Sequence, residues 1–257
     1  MTTPDPPARV VAAARALATG EGHLAILTGA GVSVAAGLAT FRGPHGLWEG
    51  RDPTELATPE AFARDPEAVW RWYGARLAGC LAAEATRAHH DLAAIAGAVS
   101  ATLVTQNVDG LHGVAAGGGG AANLVELHGS IRRARCSACP YATALPEPPV
   151  GVPQCPTCGG ALRPDVVWFG EALAAADIAR AEAAFASATL ALVVGTSGTV
   201  WPAAGLAHLA EASGAVLVLV DPEETHLDDL ADWRLSTGAD EGVRVVRDAL
   251  FADAVGA

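Results

Sequence analysis

The sequence predicts an α/β protein: a Rossmann-like, doubly wound parallel sheet with a smaller lobe made from two inserts. Short apolar runs that end in polar or glycine-rich turns alternate with alanine-rich helical stretches, which is typical of a parallel sheet covered by helices on both faces. Two stretches interrupt this alternation. The 257 residues of the chain are enough for one large domain and a smaller insert.

The predicted strands are short apolar runs, and the predicted helices are the alanine-rich stretches between them. The runs at 23–28, 101–105, 189–195 and 215–221 fit buried strands, and 174–188 and 203–213 fit helices. Residues 50–95 have a helical pattern throughout, whereas 131–163 are rich in cysteine and proline. We therefore expect a large domain from 1–48, 96–130 and 164–257, and a small domain from the helical insert 49–95 and the module 131–163.

Composition limits the classes of partner. The formal net charge is −12, which disfavours nonspecific binding to nucleic acid and to anionic lipid. No apolar run approaches the ~20 residues that span a bilayer, and the first twenty residues lack the pattern of a secretory signal. We expect a cytoplasmic monomer without membrane or specific nucleic-acid partners.

Four of the five cysteines lie within 23 residues. Cys136-x-x-Cys139 and Cys155-x-x-Cys158 are separated by fifteen residues, a spacing that matches a tetrahedral four-thiolate zinc site. A zinc ion with four protein ligands is structural, because catalytic zinc keeps an open position. Arginines around the module also fit a zinc-ribbon nucleic-acid binder, although the acidic whole-chain charge opposes that alternative.

A glycine-rich loop follows the first predicted strand and is expected to open a helix. The run Thr-Gly-Ala-Gly-Val-Ser at 28–33 lets the backbone approach a pyrophosphate, whose charge the exposed N–H groups bind. Its spacing departs from the usual dinucleotide fingerprint, so an ordinary strand–turn–helix junction is an equal alternative for the loop taken alone.

Further motifs follow this loop in a distinctive order. They are Gly-Leu-Ala-Thr-Phe-Arg-Gly at 37–43, Gly-Leu-Trp at 46–48, Thr-Gln-Asn-Val-Asp-Gly-Leu-His at 105–112, Glu-Leu-His-Gly at 126–129, the four cysteines and Gly-Thr-Ser at 195–197. In this order and at these intervals the set resembles the sirtuin family, over roughly residues 24–239. The resemblance implies NAD-dependent removal of acyl groups from protein lysines, with nicotinamide and an O-acyl-ADP-ribose as products.

The resemblance also implies which residues contact NAD. It places Gln106 and Asn107 at the nicotinamide ribose and Asp109 at the nicotinamide carboxamide. Taken alone, an Asn/Asp pair after a strand is also typical of a stabilised turn. The implied contacts are Gly29, Ala30, Gly31, Phe41, Arg42, Trp48, Gln106, Asn107, Asp109, Gly195, Thr196 and Ser197.

Two further positions follow the sirtuin pattern less closely. Asp221 stands where sirtuins usually carry asparagine, yet its carboxylate can accept bonds from both hydroxyls of a ribose. The same negative charge disfavours a ribose 2′-phosphate, which supports NAD over NADP. Ala239 is expected to contact the adenine through its backbone.

His128 is the predicted catalytic residue. Imidazole titrates near neutrality, so it can accept a proton from a ribose hydroxyl. A lone histidine is more often a core residue, but the Glu-Leu-His-Gly context matches the position of the general base in sirtuins.

Tyr73 and Arg76 indicate which kind of acyl group the protein is expected to remove. They are three residues apart, so on a helix they project from one face. A buried guanidinium beside a phenol hydroxyl is a receptor for a carboxylate, and Ala57 leaves room for it. The pair resembles the sirtuins that remove succinyl, malonyl or glutaryl groups; a half-buried tyrosine beside a surface arginine is the structural alternative.

The sequence alone leaves three other functions open. A plain deacetylase uses the same cofactor site, as does a mono-ADP-ribosyltransferase, which would label protein without needing an acylated lysine. A non-enzymatic zinc-ribbon module is the third.

Overall fold

The computed structural model describes residues 4–40, 52–117 and 123–255. Within them lie nine α-helices, nine strands, 3₁₀ turns at Ala30–Ala36, Pro53–Glu55 and Asp228–Leu230, and a π-helical turn at Arg247–Phe251. The helices are α1 (Ala8–Ala18), α2 (Pro59–Arg64), α3 (Pro66–Ala82), α4 (Arg87–Ala98), α5 (Leu111–Ala115), α6 (Ala175–Ala186), α7 (Ala203–Ala212), α8 (Ala239–Val246) and α9 (Ala252–Val255). The strands are β1 (Leu24–Thr28), β2 (Ala101–Thr105), β3 (Leu124–Glu126), β4 (Gly129–Cys136), β5 (Ala142–Ala144), β6 (Leu162–Val166), β7 (Leu190–Val194), β8 (Val216–Val220) and β9 (Trp233–Leu235).

Six strands form one parallel sheet in the order β3-β2-β1-β7-β8-β9. The four strands predicted from apolar runs are its central members, whereas the two edge strands have only three residues each. Strand β1 pairs with β2 on one side and with β7 on the other. The order therefore reverses at β1, and a doubly wound sheet binds ligands at such a reversal. The predicted fold class is confirmed.

Both faces of the sheet are buried, because successive side chains of a strand point to opposite faces. Leu24 and Ile26 of β1 belong to an apolar cluster that includes Leu92 of α4. The alternate residue Leu27 belongs to a second cluster, with Phe185 of α6. This sandwich holds the strand ends, and the loops that follow them, in a fixed arrangement.

The second sheet is antiparallel and has three strands, in the order β5-β4-β6. Helix α3 packs on it: Trp70 is 3% exposed, and its Nε1 donates to the carbonyl of Leu162 over 2.8 Å. The sequence starts this helix with a cap, since Asp65 accepts from the backbone N–H of Ala68 and Pro66 occupies the first turn.

Helix α4 packs on the large sheet, whereas the sequence placed all of residues 49–95 in the small domain. Its residues Leu92 and Ile95 are fully buried in the cluster on the large sheet, together with Val10 of α1. Its apolar face therefore covers β1 and β2, and the helical insert packed on the small sheet consists of α2 and α3. The other predicted domain boundaries stay predictions.

Across 4–40, 52–117 and 123–255, no helix has the length and apolar character needed to cross a membrane. The expected cytoplasmic location and monomeric state stay predictions.

Candidate active site at the strand ends

A cleft of about 1470 Å³ lies at the carboxyl ends of β1, β2, β3, β7 and β8 and extends to the helical insert. Such a position is where open parallel sheets bind their ligands. Most of the predicted site residues line it: Gly29, Ala30, Gly31, Tyr73, Arg76, Gln106, Asn107, His128, Gly195, Thr196, Ser197, Asp221 and Ala239. Phe41, Arg42 and Trp48 lie outside the described residues.

The glycine loop after β1 runs against the loop after β7. The N–H of Gly31 donates to the carbonyl of Gly195 over 2.9 Å, and a Cβ added to Gly31 would lie 2.6 Å from the Cα of Gly195. Glycine is required here because the two backbones touch. The segment that follows is the 3₁₀ turn Ala30–Ala36, where the sequence predicted the start of a helix.

Polar side chains tie the end of β2 to this loop. Asn107 donates through Nδ2 to the carbonyl of Gly29 over 3.0 Å and to Ser33 Oγ over 3.2 Å. Gln106 donates through Nε2 to Thr196 Oγ1 over 3.0 Å. The ends of β1, β2 and β7 are thus held together by hydrogen bonds beneath the cleft.

Asp109 lies behind these hydrogen-bonded side chains and is 8% exposed. Its Oδ2 accepts from Ser33 Oγ over 2.8 Å and its Oδ1 accepts from the N–H of Leu111 over 2.9 Å. In this structure the carboxylate therefore holds the cleft floor in place, and its predicted contact to the nicotinamide carboxamide stays a prediction. Ser33, which the site prediction left out, is the residue that joins Asp109 to Asn107.

His128 follows β3 and faces the cleft. Its Nδ1 lies 2.9 Å from the carbonyl oxygen of Gln106, and a carbonyl can only accept, so Nδ1 carries the hydrogen and Nε2 keeps a lone pair. Burial lowers the pKa of His128, and the bond to Gln106 partly opposes that effect. The ring is therefore neutral at physiological pH, as a general base requires.

The end of the cleft that is formed by the loop after β8 is acidic. Asp221 follows β8, is 9% exposed and accepts through Oδ1 from the N–H of Glu223 over 3.0 Å. Burial raises the pKa of its carboxyl group, while the bond from Glu223 opposes that rise. Ala239 begins α8 nearby. The backbone thus engages one oxygen of Asp221, and the predicted contact of this carboxylate to a ribose stays a prediction.

The end formed by the helical insert contains the predicted acyl receptor. Tyr73 of α3 is 5% exposed, and burial raises its pKa to about 12, so the phenol is neutral. The guanidinium carbon of Arg76 lies 4.6 Å from the centroid of the Trp72 ring. The Nε and Nη1 atoms of Arg76 are buried, and burial lowers its pKa. The guanidinium of Arg76 is thus a positive charge in the wall of this end of the cleft, where the neighbouring groups are mainly apolar.

The four predicted metal ligands converge beside the end of β4 in the small sheet. The sulfurs of Cys136, Cys139, Cys155 and Cys158 all lie within 4.8 Å of one another. Cys136 and Cys158 have Sγ atoms 3.5 Å apart, and those of Cys139 and Cys155 are 3.6 Å apart. A tetrahedron with Zn–S distances of ~2.3 Å has edges of about 3.8 Å. The donor set therefore fits a structural zinc ion.

The sequence-based site prediction also missed Trp168 and Glu171. Both line the cleft, and Trp168 contacts Tyr73 through a hydrogen bond. The run Val-Val-Trp-Phe-Gly-Glu at 166–171 was the available signal, because aromatic residues followed by glycine and a carboxylate after a strand are unusual in a plain connection.

Fold and cleft together define a dinucleotide-binding enzyme with an appended four-cysteine metal module. The model of the Sir2 family matches residues 29–202, and the chain belongs to this family. This confirms the resemblance drawn from the sequence motifs.

Individual relatives agree with this membership. The NAD-dependent protein deacylase of Thermus thermophilus is 51% identical over 229 residues, covering 87% of this chain and 89% of that protein. A crystal structure of a Sir2 homologue with NAD has a TM-score of 0.83 at 41% identity, covering 92% of this chain and 93% of that one. A Sir2 structure with a deacetylated peptide and 3′-O-acetyl ADP ribose has a TM-score of 0.78 at 30% identity, covering 88% and 92%.

Proposed function

We propose that this NAD-dependent protein deacylase prefers acidic acyl groups, removing succinyl and malonyl from lysine side chains faster than acetyl. Arg76 carries the proposal. Its guanidinium lines the cleft with Nε and Nη1 buried, and a guanidinium binds a carboxylate through charge-assisted hydrogen bonds that a neutral group cannot match. An acetyl group supplies no anion, whereas the carboxylate of a succinyl group does.

Tyr73 supports the same preference from one helical turn away. Because its pKa is raised to about 12, it stays a neutral hydrogen-bond donor at any physiological pH. A guanidinium and a phenol hydroxyl together offer charge-assisted bonds to a carboxylate, which are about twice as strong as neutral ones. Ala57, 4% exposed in the cleft wall, presents a single methyl group and leaves space for the longer acyl chain.

The remaining cleft residues fit the cofactor. The backbone of Gly29, Ala30 and Gly31 would receive the pyrophosphate, and Asp221 a ribose. NAD bound there would supply an electrophilic ribose carbon for the acyl oxygen, with nicotinamide as the leaving group. We infer that His128 accepts at Nε2 the proton of a ribose hydroxyl as that hydroxyl attacks the acyl carbon. The bond between the acyl carbon and the lysine nitrogen then breaks with uptake of one solvent water, so that the products are free lysine, nicotinamide and an O-acyl-ADP-ribose.

The contacts predicted for Gln106, Asn107, Gly195, Thr196, Ser197 and Ala239 belong to the same proposal. All of them line the cleft, and the hydrogen bond between Gln106 and Thr196 brings two of the loops together at the cleft floor. This arrangement supports one cofactor spanning the strand ends, with the acylated lysine entering on the side of the helical insert.

The test compares acyl groups on one peptide. Nicotinamide release is measured with acetyl-, malonyl-, succinyl- and glutaryl-lysine peptides of the same sequence, for the native protein and for Arg76→Met. Losing a charge-assisted contact should lower kcat/KM for succinyl-lysine by about 100-fold and change kcat/KM for acetyl-lysine by less than about threefold. Arg71→Met is the matched control, because Arg71 is an exposed residue of the same helix.

Other outcomes would contradict the proposal. A native protein that turns over acetyl-lysine faster than succinyl-lysine is a plain deacetylase. An equal fall with both peptides in Arg76→Met would show that Arg76 does not bind the acyl carboxylate. Labelled protein formed without any acylated lysine would indicate mono-ADP-ribosyl transfer.

A further inference from the structure

Trp168 makes a directed contact with Tyr73. The indole is 3% exposed, and its Nε1 lies 2.9 Å from the hydroxyl oxygen of Tyr73. An indole N–H can only donate, so the tyrosine oxygen is the acceptor of this bond. The phenolic hydrogen of Tyr73 is therefore not used by Trp168 and remains available to an acceptor elsewhere.

The indole itself is fixed from two sides. The guanidinium carbon of Arg163 lies 3.3 Å from the centroid of the Trp168 ring, so a cation covers the ring face. The carboxylate of Glu171 accepts from Arg163 Nη1 over 2.5 Å and Nη2 over 2.9 Å, and from the backbone N–H of Trp168 over 2.9 Å. Ring and backbone of Trp168 are thus both held by the Arg163–Glu171 pair.

We propose that Trp168 is a positioning residue for acyl selectivity, which it sets by making Tyr73 a donor toward the cleft. The inference rests on the proposed function, because it concerns the same acyl receptor. With one acceptor site of the phenol oxygen occupied by the indole N–H, the hydroxyl hydrogen is directed to the acyl carboxylate. Accepting one hydrogen bond also polarises the hydroxyl and strengthens the bond it donates.

Trp168→Phe tests the proposal, since phenylalanine keeps an aromatic ring and removes the N–H. The measured quantity is the ratio of kcat/KM for succinyl-lysine to kcat/KM for acetyl-lysine. We expect this ratio to fall about tenfold, through a higher KM for the succinyl peptide. Trp70→Phe is the matched control: it also removes a buried indole N–H bond in the small lobe, but the acceptor of that bond is the carbonyl of Leu162 and not the hydroxyl of Tyr73, so the ratio should stay unchanged.

A double-mutant comparison separates positioning from simple structural damage. If Trp168 acts through the hydroxyl of Tyr73, Trp168→Phe should not change the ratio in a Tyr73→Phe background. If Trp168→Phe does not fold, a benzothiophene analogue of tryptophan at position 168 keeps the ring shape without the N–H and serves the same test.

The outcomes distinguish the two proposals. Arg76→Met that leaves the ratio unchanged overturns the proposed function itself. Arg76→Met that collapses the ratio, together with Trp168→Phe that leaves it unchanged, overturns this inference alone. So does a further fall in the ratio when Trp168→Phe is added to Tyr73→Phe.

Discussion

The Nδ1 of His128 donates a hydrogen bond of 2.9 Å to the main-chain carbonyl of Gln106. This bond fixes the tautomer of the ring, leaving Nε2 as a proton acceptor on the cleft side. It also joins the loop after β3 to the residue after β2, so the imidazole is oriented by the sheet itself. Because the acceptor is backbone, the orientation does not depend on another side chain.

Removing the base should stop catalysis without unfolding the protein. We expect His128→Ala to lower nicotinamide release from succinyl-lysine peptide by about 10²–10⁴-fold, the range for loss of a general base. The melting temperature should stay within a few degrees of the native value, since the ring contributes one hydrogen bond to the fold. A variant with more than a tenth of the native kcat would contradict the assignment.

The pH dependence of activity should reflect a base that is protonated only in acid. Burial lowers the pKa of His128 below its ordinary value of 6.5, and only the neutral ring accepts a proton. The acid limb of the rate should therefore be centred below pH 6.5. Profiles of kcat/KM against pH, measured under saturating NAD, check this; an acid limb centred at pH 7 or above would contradict it.

Acid should also destabilise the fold through His89. It is fully buried, and burial lowers its pKa to about 4, whereas in the unfolded chain it titrates near 6.5. Between those values the unfolded state binds the proton and the folded state does not, so stability is lost as pH falls from 6.5 toward 4. Urea unfolding across this range should show a shallower decline for His89→Gln than for the native protein.

Metal removal should affect the small lobe first. The four cysteines form one cluster that fits one zinc ion, and Cys136 and Cys155 pack in the same apolar cluster as Tyr73. We expect one zinc per chain by elemental analysis, and loss of both zinc and deacylase activity in Cys136→Ser. Cys80→Ser is the control, because Cys80 lies outside the metal cluster; zinc content unchanged in Cys136→Ser would contradict the assignment.

The contact between the two cofactor loops should not tolerate a side chain. A methyl group at Gly31 would lie 2.6 Å from the Cα of Gly195, so we expect Gly31→Ala to raise KM for NAD about tenfold or more and to lower the melting temperature. Gly79→Ala is the matched control, since a Cβ there meets nothing within 4 Å and alanine favours helix. Equal NAD kinetics in the two variants would contradict a pyrophosphate site at this loop.

Much of the site could be predicted from the sequence because its parts follow strongly apolar strands. Gln106 and Thr196 come within two residues of the end of such a strand, and parallel strands bring their carboxyl ends to one edge. His128 was recognised from the Glu-Leu-His-Gly motif, since the short strand before it was not predicted. The cysteine spacing likewise implied its own geometry. These patterns are local, so they can be recognised without knowing which elements pack together.

Features that depend on packing could not be predicted. Helix α4 has the same alanine-rich character as α3, and nothing local shows that Leu92 faces the large sheet. The bond from Trp168 to Tyr73 joins residues 95 positions apart, and the burial of Asp109 beneath Ser33 likewise results from tertiary contacts. The contact between Gly31 and Gly195, where the 3₁₀ turn begins, also joins residues far apart in the chain.

A crystal structure of the zinc-loaded protein with a succinyl-lysine peptide and a non-hydrolysable NAD analogue would show directly whether His128 faces the ribose and Arg76 the acyl group. We expect His128 Nε2 within about 3 Å of a hydroxyl of the nicotinamide ribose, and the succinyl carboxylate at a similar distance from Arg76 and Tyr73. A ribose placed away from His128, or a carboxylate that points to solvent, would contradict it.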